Sequence, residues 1–122
     1  MPQLSIPAQP SLTYFVIVNP NSGPGGANSQ PDPTLAGCIE KLKAPNVILI
    51  GYVDTAYGQR AFSAVTQDVA TYAGWDNAYS ISGIFFDDVL ATSEFFSDYS
   101  SWAATARASF NGGNGLVRFT AA

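Results

Sequence analysis

The chain has 122 residues, is 47% hydrophobic and only 11% charged, and carries a formal net charge of -4 with no histidine and one cysteine. That length suits one domain, the composition excludes disorder, and the acidic balance without a basic run excludes nucleic acid as a partner. The missing histidine removes Ser-His-Asp and Cys-His catalysis and histidine zinc sites, so carboxylates, tyrosines, backbone groups or a hard metal must carry any chemistry.

Met1 to Thr13 holds three prolines and reads as an irregular lead-in with at most one weak helical turn. It has neither the basic start nor the apolar block of a signal peptide, and no stretch approaches membrane-spanning length. Tyr14 to Val18 is a strand that stops in the turn-rich loop Asn19-Pro20-Asn21-Ser22-Gly23-Pro24-Gly25-Gly26. Asp32 before Pro33 predicts a helix start, and Leu35, Cys38, Ile39 and Leu42 share one apolar face. Cys38 reads there as a small buried hydrophobe. Pro45 closes the helix, and Val47 to Val53 forms a second strand ending at Asp54-Thr55. A second helix is expected over Gln59 to Ala73, with Phe62, Val65, Val69 and Tyr72 turned inward and Gly74 as its stop.

Trp75 precedes the next strand and belongs on the structural edge of the sheet. The run Ser82-Gly83-Ile84-Phe85-Phe86 then ends on Asp87-Asp88. Ionised carboxylates cannot stay unpaired in a core, so they should emerge where that strand ends. Successive strand side chains point to opposite faces, so only one of the two enters a pocket unless the backbone turns there. A third helix starts near Ser93, with Phe95, Tyr99, Trp102 and Ala106 on one face. After the loop Asn111 to Gly115, Leu116 to Thr120 is a weaker fourth strand.

Strand ends at Asn19, Asp54 and Asp87 recur roughly every 35 residues, the length of a strand-helix unit in a parallel sheet. Right-handed crossovers bring all these ends to one edge, where such folds place their ligands. Asn19, Tyr52, Asp54, Tyr57, Asp87 and Asp88 are therefore the candidate site residues. Asp54 could equally form the turn ahead of the helix, and Tyr52 could simply pack. The glycines after Asn19 lack the dinucleotide-binding spacing and no Gly-Lys-Ser/Thr follows.

Three segments together, Val16 to Gly25, Gly51-Tyr52-Val53-Asp54-Thr55-Ala56-Tyr57-Gly58 and Gly83-Ile84-Phe85-Phe86-Asp87-Asp88, resemble the spherulin 4-like (spherulation-specific) cell-surface family. The likeness runs from about Ser11 to Tyr99 and fades after Phe110. It implies an α/β fold: a partial (β/α) TIM-type barrel of three to four parallel strands alternating with helices, in one incomplete domain. It also implies a glycoside-hydrolase-like protein, extracellular or at the cell surface, acting on α-linked N-acetylgalactosamine exopolysaccharide without a cofactor or metal. The family's acidic pair, usually Asp-Glu, falls on Asp87 and Asp88 as the catalytic carboxyls, and Asn19, Tyr52, Asp54 and Tyr57 would bind substrate. A further glutamate of the family lies on a later strand. A full barrel takes about 250 residues, so the chain is expected to be a fragment. It would supply one side of the catalytic arrangement, have little activity alone and tend to self-associate through exposed sheet edges. The alternative is a non-catalytic protein that binds carbohydrate through the same rim.

Overall fold

The computed structural model describes residues 12–90 and 93–121, so most of the lead-in lies outside the described residues. Four strands, β1 (Tyr14–Val18), β2 (Val47–Asp54), β3 (Ile81–Val89) and β4 (Leu116–Ala121), form one sheet in that spatial order. Every neighbouring pair is parallel. Between them run α1 (Pro33–Leu42), α2 (Phe62–Ala73) and α3 (Phe96–Ser109). Spatial order equal to chain order, with every helix against the same face, is the winding of a barrel; a doubly wound sheet reverses direction at its first strand. The chain is thus a partial (β/α) barrel of four strands and the three helices between them.

The core follows from the pleat. Val16 and Val18, Leu49 and Val53, Ile84 and Phe86, and Val117 all point to the helix side of the sheet. Ile39 and Leu42 of α1, Val65, Val69 and Tyr72 of α2, and Trp102 and Ala106 of α3 meet them there. The first helix starts as its sequence requires: the Asp32 carboxylate accepts from Leu35 N at 2.8 Å, with Pro33 at the first position. Trp75 lies at the amino-terminal side of β3, buried edge-on against Tyr72 at 4.9 Å.

The expected details shift in four places. Cys38 is free and only half-buried, because Ile39 and Leu42 carry the inward face of α1. The second helix begins at Phe62, since a 3-10 turn over Ala56–Gly58 with left-handed residues comes first. Phe62 itself is 46% exposed, stacked at 5.7 Å on the buried Trp102. The fourth strand is a full member of the sheet: Phe119 stacks on Phe86 at 5.2 Å and meets Tyr99 edge-on.

Candidate active site

The parallel register brings the strand ends together as the repeat implies. Val18 stands beside Gly51, and Asp54 stands beside Asp87. Tyr52 and Asp54 are two apart on β2 and share the face turned away from the helices. Phe85 and Asp87 sit beside them on β3, with the Tyr52 and Phe85 rings 6.1 Å apart. The Tyr52 hydroxyl donates to Asp87 Oδ2 at 2.7 Å. Burial first, and that bond to Asp87 second, push the Tyr52 phenol well above its usual range, so it remains a donor.

Asp88 is reached by the turn of the backbone that two inward-facing neighbours require. It adopts φ 57, and the β3–β4 register shifts between Phe86 and Val89. A left-handed aspartate inside a strand is a bulge, a device that re-aims a side chain. The Asp88 carboxyl is held above the ordinary carboxylate range, mainly by a hydrogen bond with Asp54, then by burial and by the charges of Asp87 and Asp54. The three carboxyls therefore act as one cluster. Asp87 is oriented by a phenol, while the Asp54 carboxyl beside Asp88 makes Asp88 hold a proton more tightly than a free aspartate.

Thr55 holds this geometry, and sequence reasoning gave it no role beyond the rim. It is fully buried, its hydroxyl lies 3.0 Å from Asp87 O and 3.1 Å from Asp88 O, and its N-H donates to Asp87 O at 3.1 Å. The residues after it, Ala56 and Tyr57, have φ 48 and φ 60. Such conformations persist only where their surroundings impose them; here Asp54 Oδ1 accepts from Ala56 N at 2.9 Å and Gly58 N donates to Thr55 O. Arg60 adds a second brace, donating to Asp54 O at 2.9 Å and to Asp68 Oδ2 at 2.6 Å. One signal was available for it: Arg60 is among only five cations and follows the acidic strand end. Replacing Thr55 with valine keeps the shape and removes the clamp. We expect Thr55→Val to cost about 1–2 kcal/mol in denaturant unfolding and to move the Asp87 and Asp88 amide resonances, with Thr55→Ser close to wild type. Wild-type stability in Thr55→Val would show that the bulge needs no clamp.

The remaining candidates lie at the rim's margin. Asn19 follows β1 level with Tyr52, about 7 Å along the strand direction below Asp54. Its Oδ1 accepts from Gly23 N at 3.0 Å, so it shapes the glycine loop. Tyr57 is 46% exposed on the 3-10 turn, with its ring available to a ligand.

A family model described as spherulation-specific family 4 matches residues 3–121. The match continues through β4, so the likeness does not fade after Phe110. Spherulin-4 of Physarum polycephalum is 38% identical over 94 residues, which span 77% of this chain and 27% of that protein. The crystal structure of Aspergillus clavatus Sph3 in complex with GalNAc aligns with a TM-score of 0.77 at 30% identity, over 90% of this chain and 47% of Sph3. The chain thus spans about a quarter of the one relative and just under half of the other.

Proposed function

Because this chain belongs to spherulation-specific family 4, we propose that its carboxylate rim acts on an amino-sugar polysaccharide of α-linked N-acetylgalactosamine type, as part of a glycoside-hydrolase-like barrel at the cell surface. The observation that carries this reading is the split between neighbouring acids: Asp87 accepts from Tyr52, while the bulged Asp88 has its carboxyl held above the ordinary range, mainly by Asp54. Carboxyls with different environments on one lip are the arrangement that separates an acid from its partner in glycoside cleavage. Asp88 is the proton donor to the leaving oxygen. Asp87 faces the sugar, and Tyr52, Asp54, Asn19 and Tyr57 bound the subsite. The likeness to a GalNAc-bound barrel supports the sugar class.

Asp54, Asp87 and Asp88 lie together at the ends of two adjacent strands and so form one side of the site, whereas glycoside cleavage needs carboxyls on both sides of the scissile bond. A single copy of this chain therefore offers one flank, binds the polymer and releases no reducing ends. Non-catalytic carbohydrate binding is the second reading, favoured by the exposed Tyr57 ring beside the rim. Titration with α-linked N-acetylgalactosamine oligosaccharide, followed by amide chemical shifts, tests both. Saturable shifts at Tyr52, Asp87 and Asp88 are expected, and Tyr52→Ala should weaken binding roughly tenfold. No saturable shift at any concentration would overturn the carbohydrate assignment.

A further inference from the structure

We infer that the chain carries a second binding site, for a single neutral sugar ring, at the opposite end of the sheet from the acids. A cavity of about 280 Å³ opens between the carboxyl ends of α2 and α3 and the start of β3. Tyr72, Trp75 and Phe110 form its buried base. Trp75 is 4% exposed, and its indole Nε1 is a buried donor with no hydrogen-bond partner among the described residues. The hydroxyl of its neighbour Tyr72 is engaged elsewhere, with Tyr52 O and Val18 O. A buried donor without an acceptor is unfavourable, and native structures seldom leave one. A ligand oxygen at the base of the cavity would complete it.

The backbone is shaped around this cavity. Ile81 and Ile84 both pack on the helix side, although residues three apart in a regular strand face opposite ways. The β2–β3 register gives the reason: Leu49 and Gly51 pair with Ile81 and Ile84, so β3 carries one extra residue at Ser82-Gly83. Such a bulge re-aims a side chain. Regular alternation would turn Ser82 to the barrel side, and the bulge leaves it lining the cavity. β3 thus has a bulge at each end, one aiming Asp88 and the other Ser82.

The lining decides the class of ligand. Among the described residues that line the cavity there is no lysine or arginine, so nothing holds an anion. The one carboxylate, Asp76, is exposed and already accepts from Ala78 N. The unpaired indole is a donor, which an ammonium group cannot answer. A neutral molecule with acceptor oxygens remains. The base is apolar, while Asn77 and Asn111 bring exposed side-chain amides to the rim. A pyranose has the same division, with C–H groups on its ring and hydroxyls around it. The volume lies just below the about 300–1,000 Å³ of pockets for larger ligands, so it admits one ring. Ser82 stands five residues before Asp87, about 16 Å along the strand, so this ring is out of reach of the acids. The class follows from this cavity's own lining and does not rest on the reading of the acid rim.

The chain has two tryptophans, so its nitrogen-proton spectrum holds two indole signals. Trp102 Nε1 already donates to Phe62 O at 3.3 Å and serves as the internal control. Titration with glucose, galactose and N-acetylgalactosamine should move the Trp75 indole proton downfield, saturably with at least one of them, and leave that of Trp102 in place. Trp75→Phe assigns the signal. Asn77→Ala combined with Asn111→Ala, both at exposed positions, should weaken the response roughly tenfold. Tyr52→Ala, at the acid rim, should leave it unchanged. A Trp75 signal that none of the three sugars moves saturably overturns the inference. So does a response that Tyr52→Ala abolishes, which would be an echo of the rim. The two readouts sit at opposite ends of the sheet, so failure of this site and failure of the carbohydrate reading of the rim are separate results.

Discussion

Gly83→Ala should detach the fourth strand. A Cβ at Gly83 would run into the Leu116 carbonyl oxygen and lie 2.7 Å from that residue's carbonyl carbon and nitrogen. These are backbone atoms paired with Gly83 in the parallel ladder, so no side chain can swing aside. Moving β4 away breaks the Phe86–Phe119 stack and uncovers Val117. Overpacking alone costs about 1–3 kcal/mol, and with a strand lost the expected cost is about 3 kcal/mol or more, a fall of roughly 10 °C in Tm. Amide exchange should show β4 open while β1 and β2 keep their protection. A Tm within about 2 °C of wild type would mean that β4 does not pair as described.

Gly51→Ala should be the next most damaging single change. Its added methyl would sit 2.7 Å from three atoms of the Tyr72 ring. That ring is buried, edge-on to Trp75, and its hydroxyl lies 2.8 Å from Tyr52 O and 3.2 Å from Val18 O. Tyr72 thereby ties the carboxyl ends of β1 and β2 from behind the rim, and glycine is what lets it approach. We expect a loss of about 1–3 kcal/mol in denaturant unfolding. In a Tyr72→Ala background the same substitution should cost far less, because the conflict is between two groups in contact. Equal costs in both backgrounds would place the strain elsewhere.

Both glycines were visible in the sequence as members of apolar runs, but what each admits was not. The strands, the helices and their repeat were legible because buried runs and threefold-fourfold spacings report directly on which side chains leave water. The common edge was legible because handedness follows from the repeat. Other features depend on contacts that no local pattern encodes. Nothing in Asp87-Asp88 announces a left-handed aspartate; the bulge exists because Thr55, 32 residues earlier in the chain, holds both carbonyls. The Asp54–Asp88 pair likewise needs the β2–β3 register before it can be seen. Asn19 was read as a ligand group from its place at a strand end; that its Oδ1 also accepts from Gly23 N and shapes the loop could be seen only in the structure. The start of α2 was set too early, at Gln59, because Gln59 and Arg60 close the preceding turn with their N-H groups on Ala56 O and Thr55 O, and Ala61 is extended ahead of the helix.

The acid cluster makes a definite statement about pH. Asp88 binds its proton more tightly folded than unfolded, so its contribution to stability is complete below the unfolded carboxyl pKa. That contribution is lost as pH rises through the raised folded value. The decisive measurement is the carboxyl titration of Asp88 by carbon-detected NMR, in the wild-type chain and in Asp54→Asn. If three strand ends converge on one lip, Asp88 titrates above the ordinary carboxylate range in the wild type and moves down when Asp54 no longer offers a carboxylate to share its proton. An Asp88 that titrates like a free aspartate, or that ignores Asp54→Asn, would contradict the shared rim.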